Sequence, residues 1–138
     1  MRTRPRTHRR SVGVEYLLPD EAESACRARR LTWQFLVWRG HRTAGLDAGH
    51  IHDAALVVSE LVANATRHGG TCRLRLQVSD TQVTVEVYDR SPGRPRVRPL
   101  TTWGESGRGL AMVHSLAQRL DVDPVSGGGN RVRAVLAL

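Results

Sequence analysis

Val12, Val14 and Tyr16 alternate with Gly13 and Glu15. That two-residue period belongs to a strand with one buried face, and Pro19 closes it. Asp20 followed by Glu23 has the form of a capping box, after which Ala25, Ala28, Leu31, Phe35 and Trp38 recur at spacings of three and four, the stripe of a first helix. Gly40 to Gly49 reads as a polar connection. Ile51, Ala55, Val58, Val62 and Ala65 then trace a second helix, with the Gly69-Gly70 pair as its stop. Period two returns in Cys72, Leu74, Leu76 and Val78 and again in Val83, Val85 and Val87, on either side of a short Ser79 to Gln82 turn, which predicts a β-hairpin. Periodicity is lost over the 17 residues from Arg90 to Ser106, a length usually kept for function. Leu110, Val113, Ala117 and Leu120 mark a third helix opening at Gly107-Arg108-Gly109. A last hairpin pairs Leu120 to Val125 with Arg131 to Leu138 around Ser126 to Asn130. The order β, α, α, β, β, α, β, β predicts an α+β fold: a two-layer sandwich with helices on one face of a mixed, mostly antiparallel sheet.

Composition narrows the classes. With 138 residues, 40% apolar and 25% charged, the chain suits one soluble domain with a core of its own. No apolar run approaches the ~20 residues that cross a bilayer, and the cytoplasm is the expected compartment, with no membrane partner. The first ten residues hold five Arg and no acid and read as a disordered arm, leaving 11–138 as the folded domain. All 21 basic residues are Arg. Without Lys there is no phosphate-binding loop of the Gly-Lys-Ser type, no Schiff base and no strand lysine of the eukaryotic protein kinases. Of the net charge of +8, the arm carries five, so the domain holds 8 − 5 = +3 and, with one Phe and two Tyr for stacking, does not favour nucleic acid. Cys26 and Cys72 lack the spaced partners of a zinc site and are expected to be buried thiols.

Three places carry candidate chemistry. Glu60, Asn64 and His68 recur every four residues along one edge of the second helix. They form either a surface pair with a C-terminal histidine, or a proton-accepting carboxylate beside an amide oxygen suited to Mg²⁺. Asp89 ends a strand. It is turn punctuation or, if held under the sheet, an acceptor that selects a ligand bearing an amino group, as adenine has and guanine lacks there. Gly107-x-Gly109 is a hinge, or a helix start whose bare backbone admits phosphate.

Taken in order, Ser59 to Gly69, Val87 to Pro92 and Gly107 to Leu116 resemble the N, G1 and G2 boxes of the GHKL ATPase superfamily. Among its branches the chain looks like the short anti-sigma factor serine/threonine kinases. The resemblance implies a histidine-kinase-like ATPase domain using ATP and Mg²⁺. In it Asn64 binds the metal, Glu60 is the catalytic base, and Asp89 contacts the adenine amine. Arg90 to Ser106 forms a lid, and Gly107, Arg108, Gly109 and Leu110 receive the phosphate chain. Ser91 and Gly93 lie in the G1 segment, where Ser91 replaces the first Gly of the family's Asp-x-Gly-x-Gly. The implied partners are an antagonist protein with a phosphorylatable Ser or Thr and a sigma factor, in transcription control by partner switching, and the sequence leaves open whether the chain forms a homodimer. The alternative is a non-catalytic interaction module of the same fold. His41, His50, His52 and His114 are expected to be structural or solvent-facing.

Overall fold

The computed structural model describes residues 11–67, 70–90 and 104–138, with only the backbone of 104–108. The elements are β1 (Val12–Leu18), α1 (Ser24–Gly40), α2 (Ala48–Arg67), β2 (Cys72–Val78), β3 (Gln82–Asp89), α3 (Gly104–Leu116), β4 (Arg119–Pro124) and β5 (Asn130–Ala137). This is the predicted order of elements. The strands form one sheet in the order β1-β2-β3-β5-β4, and each neighbouring pair is antiparallel rather than mixed. The connections explain this. Two helices in succession bring the chain back to the end of the sheet it left, so β2 runs against β1. A single helix follows β3, so β4 runs parallel to it, but β5 is inserted between the two and removes the parallel contact.

Leu74, Leu76, Val78, Val83, Val85 and Val87 line the helix side of the sheet and pack against Val57, Val58, Leu61 and Val62 of α2 and Leu36 of α1. Each such side chain removed from water contributes roughly 1.5–3 kcal/mol before entropy is counted. Helix α1 differs in phase from the sequence expectation. Its buried positions are Ser24, Ala28, Thr32, Phe35 and Leu36, and Trp38 is 51% exposed. The polar members satisfy themselves locally: Ser24 Oγ donates to the Pro19 carbonyl at 2.5 Å and Thr32 Oγ1 to the Ala28 carbonyl at 2.7 Å. Glu23 occupies the N-cap without a side-chain bond, so the Asp20 capping box does not form. In α2, by contrast, Asp47 caps the helix. Its Oδ1 accepts the His50 N–H at 2.9 Å while its carbonyl accepts that of Ile51 at 3.0 Å.

Further corrections concern boundaries and thiols. Helix α3 begins at Gly104, not Gly107, and ends at Leu116, so Leu120 lies on β4. Cys72 is buried as expected, but Cys26 is exposed, because it sits on the outward side of α1. His41, His52 and His114 are exposed, as anticipated. Among the described residues no helix is long and apolar enough to cross a membrane.

The helix-free face of the sheet is not bare. Glu15, Arg75, Glu86, Arg133 and Asp121 stand opposite one another across all five strands, alternating in sign. Glu86 at the centre is only 7% exposed, with Arg75, Arg131 and Arg133 within 4.0 Å. The arginine stems and neighbouring strands, rather than a helix layer, cover it.

Candidate functional site

Helix α2 presents its apolar stripe to the sheet, and this sets Glu60 and Asn64, one turn apart, at the partly exposed margin facing α3. There the two helices nearly touch. A Cβ built on Gly109 would overlap Glu60 Oε1, so the carboxylate occupies the space that the missing side chain leaves. The resemblance joins Gly109 to phosphate, and in this structure its bareness also admits Glu60. Helix α3 also starts earlier than the Gly107-x-Gly109 segment. With its first helical residue at Gly104, α3 places Gly109 within the hydrogen-bonded turns. Leu110 is buried in the core and anchors α3.

Asn64 is engaged: its Oδ1 accepts a hydrogen bond from Arg67 Nη1 at 3.3 Å. Mg²⁺ takes few protein ligands and keeps several waters, so one amide oxygen suits it once Arg67 releases that atom. No group of three His, Cys, Asp or Glu that could hold a metal occurs among the described residues.

At the end of the sheet Cys72, Asp89 and Asn130 stand directly opposite one another on β2, β3 and β5. Opposed residues share a face, and buried Cys72 marks this one as the helix side. Asp89 is therefore held under the sheet. Its negative charge is felt by the neighbouring thiol, which burial first and Asp89 second push up to about 11. The β4–β5 turn closes over this end. A Cβ on Gly129, whose φ is +89°, would meet the Asp89 carbonyl and the Arg90 Cα. An open groove of about 580 Å³ at this end is lined by Asp89 together with Arg73, Tyr88 and Gly127 to Gly129. Asn130 was not among the sequence candidates. Its Oδ1 is buried and has no hydrogen-bond partner among the described residues, a property that no linear motif signals.

The structure thus brings Glu60 to Gly109 and Asn64 to the same margin of α2, and sets Asp89 on the helix side of the sheet. His68, Ser91, Gly93 and residues 91–103 of the expected Arg90 to Ser106 lid lie outside the described residues, as do the side chains of 104–108.

Comparison with known proteins identifies the family. The histidine kinase-like ATPase domain family matches residues 18–136. The chain is 29% identical over 96 residues to the anti-sigma F factor of Clostridium beijerinckii, covering 59% of this chain and 67% of that protein. It is 32% identical over 101 residues to the anti-sigma F factor of Pasteuria penetrans, covering 62% and 67%. In fold it is similar to the crystal structure of the RsbU and RsbW domains of a Mycobacterium tuberculosis protein, with a TM-score of 0.66 at 21% identity over 91% of this chain and 32% of that one. The family model spans most of the chain, and this chain belongs to the histidine kinase-like ATPase domains.

Proposed function

We propose that the chain binds Mg²⁺-ATP and acts as a serine/threonine protein kinase of the anti-sigma type, controlling transcription by partner switching. The observation that carries this reading is the placement of the Glu60 carboxylate against the α3 backbone at Gly109, which sets a proton acceptor at the Gly107-x-Gly109 segment that the resemblance assigns to phosphate. The residues fit the nucleotide: Asp89 is an acceptor turned inward, suited to an amine, and Asn64 offers one hard oxygen. Bound ATP supplies the phosphoryl group. Glu60 accepts the proton of the attacking Ser or Thr hydroxyl of an antagonist protein, and a sigma factor is the second partner. The names of the two anti-sigma F relatives support that partner class.

A second reading has its own support. The Arg67 bond to Asn64 holds the metal-binding atom in use, which suits a module that shapes a protein surface without transfer. Incubation with ATP, Mg²⁺ and candidate antagonists, followed by phosphosite mapping, separates the two. Transfer is expected, and Glu60→Gln should lower it roughly 10²- to 10⁴-fold with little change in nucleotide affinity. Tight antagonist binding with no phosphorylation in the parent protein establishes the module instead.

A further inference from the structure

Helix α1 ends far from the Asp89 end of the sheet. A Cβ built on Gly40 would touch the Leu46 carbonyl of the following loop, and one on Gly45 would touch Leu138, whose N–H is donated to the Thr81 carbonyl in the β2–β3 turn at 3.0 Å. The seven residues of β2 separate that turn from Cys72 and Asp89, roughly 23 Å at about 3.3 Å per residue.

At this remote end Val37 and Trp38 stand side by side on α1, 46% and 51% exposed. Apolar residues scattered singly over a surface need no explanation, but these two are adjacent and framed by charge. The guanidinium carbons of Arg39 and Arg42 lie 5.5 Å and 6.0 Å from the centroid of the Trp38 ring. Neither group is paired with a carboxylate among the described residues. The helix offers them no such partner, since its 17 residues hold four Arg and no acid. A guanidinium held over a ring keeps N–H donors for a carboxylate.

We propose that the C-terminal end of α1 is a docking surface for an acidic helical segment of a partner protein. A large apolar side chain of that segment covers Trp38 and Val37, and carboxylates one turn apart, roughly 5–6 Å, reach Arg39 and Arg42. Trp and Arg are the residue types that most often dominate binding energy at the centre of an interface. A second copy of this chain fits poorly because it would set arginine against arginine. An anionic bilayer fits poorly as well: interfacial helices bury a whole apolar face in the membrane, whereas α1 turns its own toward the core through Ala28, Phe35 and Leu36. The inference goes beyond phosphotransfer and does not depend on bound nucleotide.

The test uses the full chain without nucleotide and a fluorescent amphipathic peptide of Leu and Glu, followed by anisotropy, with a twin peptide in which Gln replaces Glu. The Glu peptide should bind the parent, and the Gln twin should bind it roughly tenfold more weakly. Trp38→Ala should weaken the Glu peptide roughly tenfold, and Trp38→Phe should restore most of that loss. The double variant Arg39→Gln/Arg42→Gln should lower both the affinity and its dependence on salt, and it tests the surface with the indole untouched. Because these side chains lie at the surface, all three variants should melt close to the parent. Absence of peptide binding by the parent overturns the proposal. So does binding that ignores Trp38→Ala and the arginine pair, which assigns the attraction to the net charge of the chain. Trp38-dependent capture of phosphatidylglycerol vesicles without peptide binding overturns it in favour of a membrane surface, and a Trp38-dependent dimer in sedimentation without peptide binding overturns it in favour of self-association. Loss of nucleotide binding or phosphotransfer leaves all these readouts in place, so this surface and the proposed kinase reaction fail separately.

Discussion

Removing the charge of Glu86 should destabilise the fold and do so in a salt-dependent way. The carboxylate is 7% exposed, and its oxygens lie 3.6 Å from Arg133 Nε, 3.7 Å from Arg131 Nη1 and 4.0 Å from Arg75 Nη1. In an effective dielectric of about 20, a unit pair at ~4 Å interacts by about 4 kcal/mol. The three guanidinium side chains are, however, 34–43% exposed, so solvent screens each pair toward the surface value of up to ~1 kcal/mol. Glu86→Gln keeps the shape, deletes three such attractions and leaves three like charges side by side. The expected loss is roughly 2–3 kcal/mol, or a fall in Tm of roughly 5–12 °C for a chain of this size. Urea unfolding followed by circular dichroism measures it directly. At 1 M NaCl, where the Debye length is ~3 Å, the difference between variant and parent should shrink by about half. A double-mutant cycle with Arg133→Met should return a coupling of about 0.5–1 kcal/mol. A loss below ~0.5 kcal/mol, or one that salt leaves unchanged, refutes the view that charge alternation across the strands holds this face.

Other outcomes follow from individual contacts. The His50 N–H bond holds the Asp47 carboxyl below its ordinary value of 3.8; a lowered folded pKa contributes stability above that value, so Asp47→Ala should lower Tm at pH 7 and the difference should fade as pH drops below about 4 in a pH series of melts. Cys72 is pushed up to about 11 from 9.0 while Cys26 is exposed; a thiol reagent at pH 8.5 should therefore label one cysteine in the folded chain and two in denaturant. Because the unfolded thiol ionises first, stability should fall between pH 9 and 11, and Tyr16, also raised by burial, adds to that slope at its upper end. Gly109→Ala meets only the movable end of Glu60, so it should change stability by less than ~1 kcal/mol while displacing the carboxylate and lowering phosphotransfer. Gly129→Ala meets the Asp89 backbone at φ +89° and should cost more than the ~1–2 kcal/mol of a left-handed residue alone, read by denaturant unfolding.

Much of the fold was legible along the chain because strand and helix periods differ. Cys72 to Val78 and Val83 to Val87 alternate in sequence and form a hairpin in space, and the Ile51 to Ala65 stripe is the buried side of α2. Helix α1 was legible in existence but not in phase. Ser24 and Thr32 are polar by type, yet they hydrogen-bond to nearby carbonyls and can be buried, which leaves Trp38 outside. Motif order likewise marked Glu60, Asn64 and Asp89 by residue type and spacing, since those depend only on neighbours within a turn or two of the same element.

By itself, then, the sequence determined which stretches become strands and helices and which of them carry acceptors and bare backbone, because these follow from local periodicity. Tertiary structure alone decided which elements meet. Insertion of β5 between β3 and β4 puts Asn130 beside Asp89 and Arg133 beside Glu86. The packing of α3 on α2 puts Gly109 against Glu60. These pairs lie 41, 47 and 49 positions apart in the chain (130 − 89, 133 − 86, 109 − 60), and no pattern of nearest neighbours encodes them, since they arise only when whole faces are buried against each other.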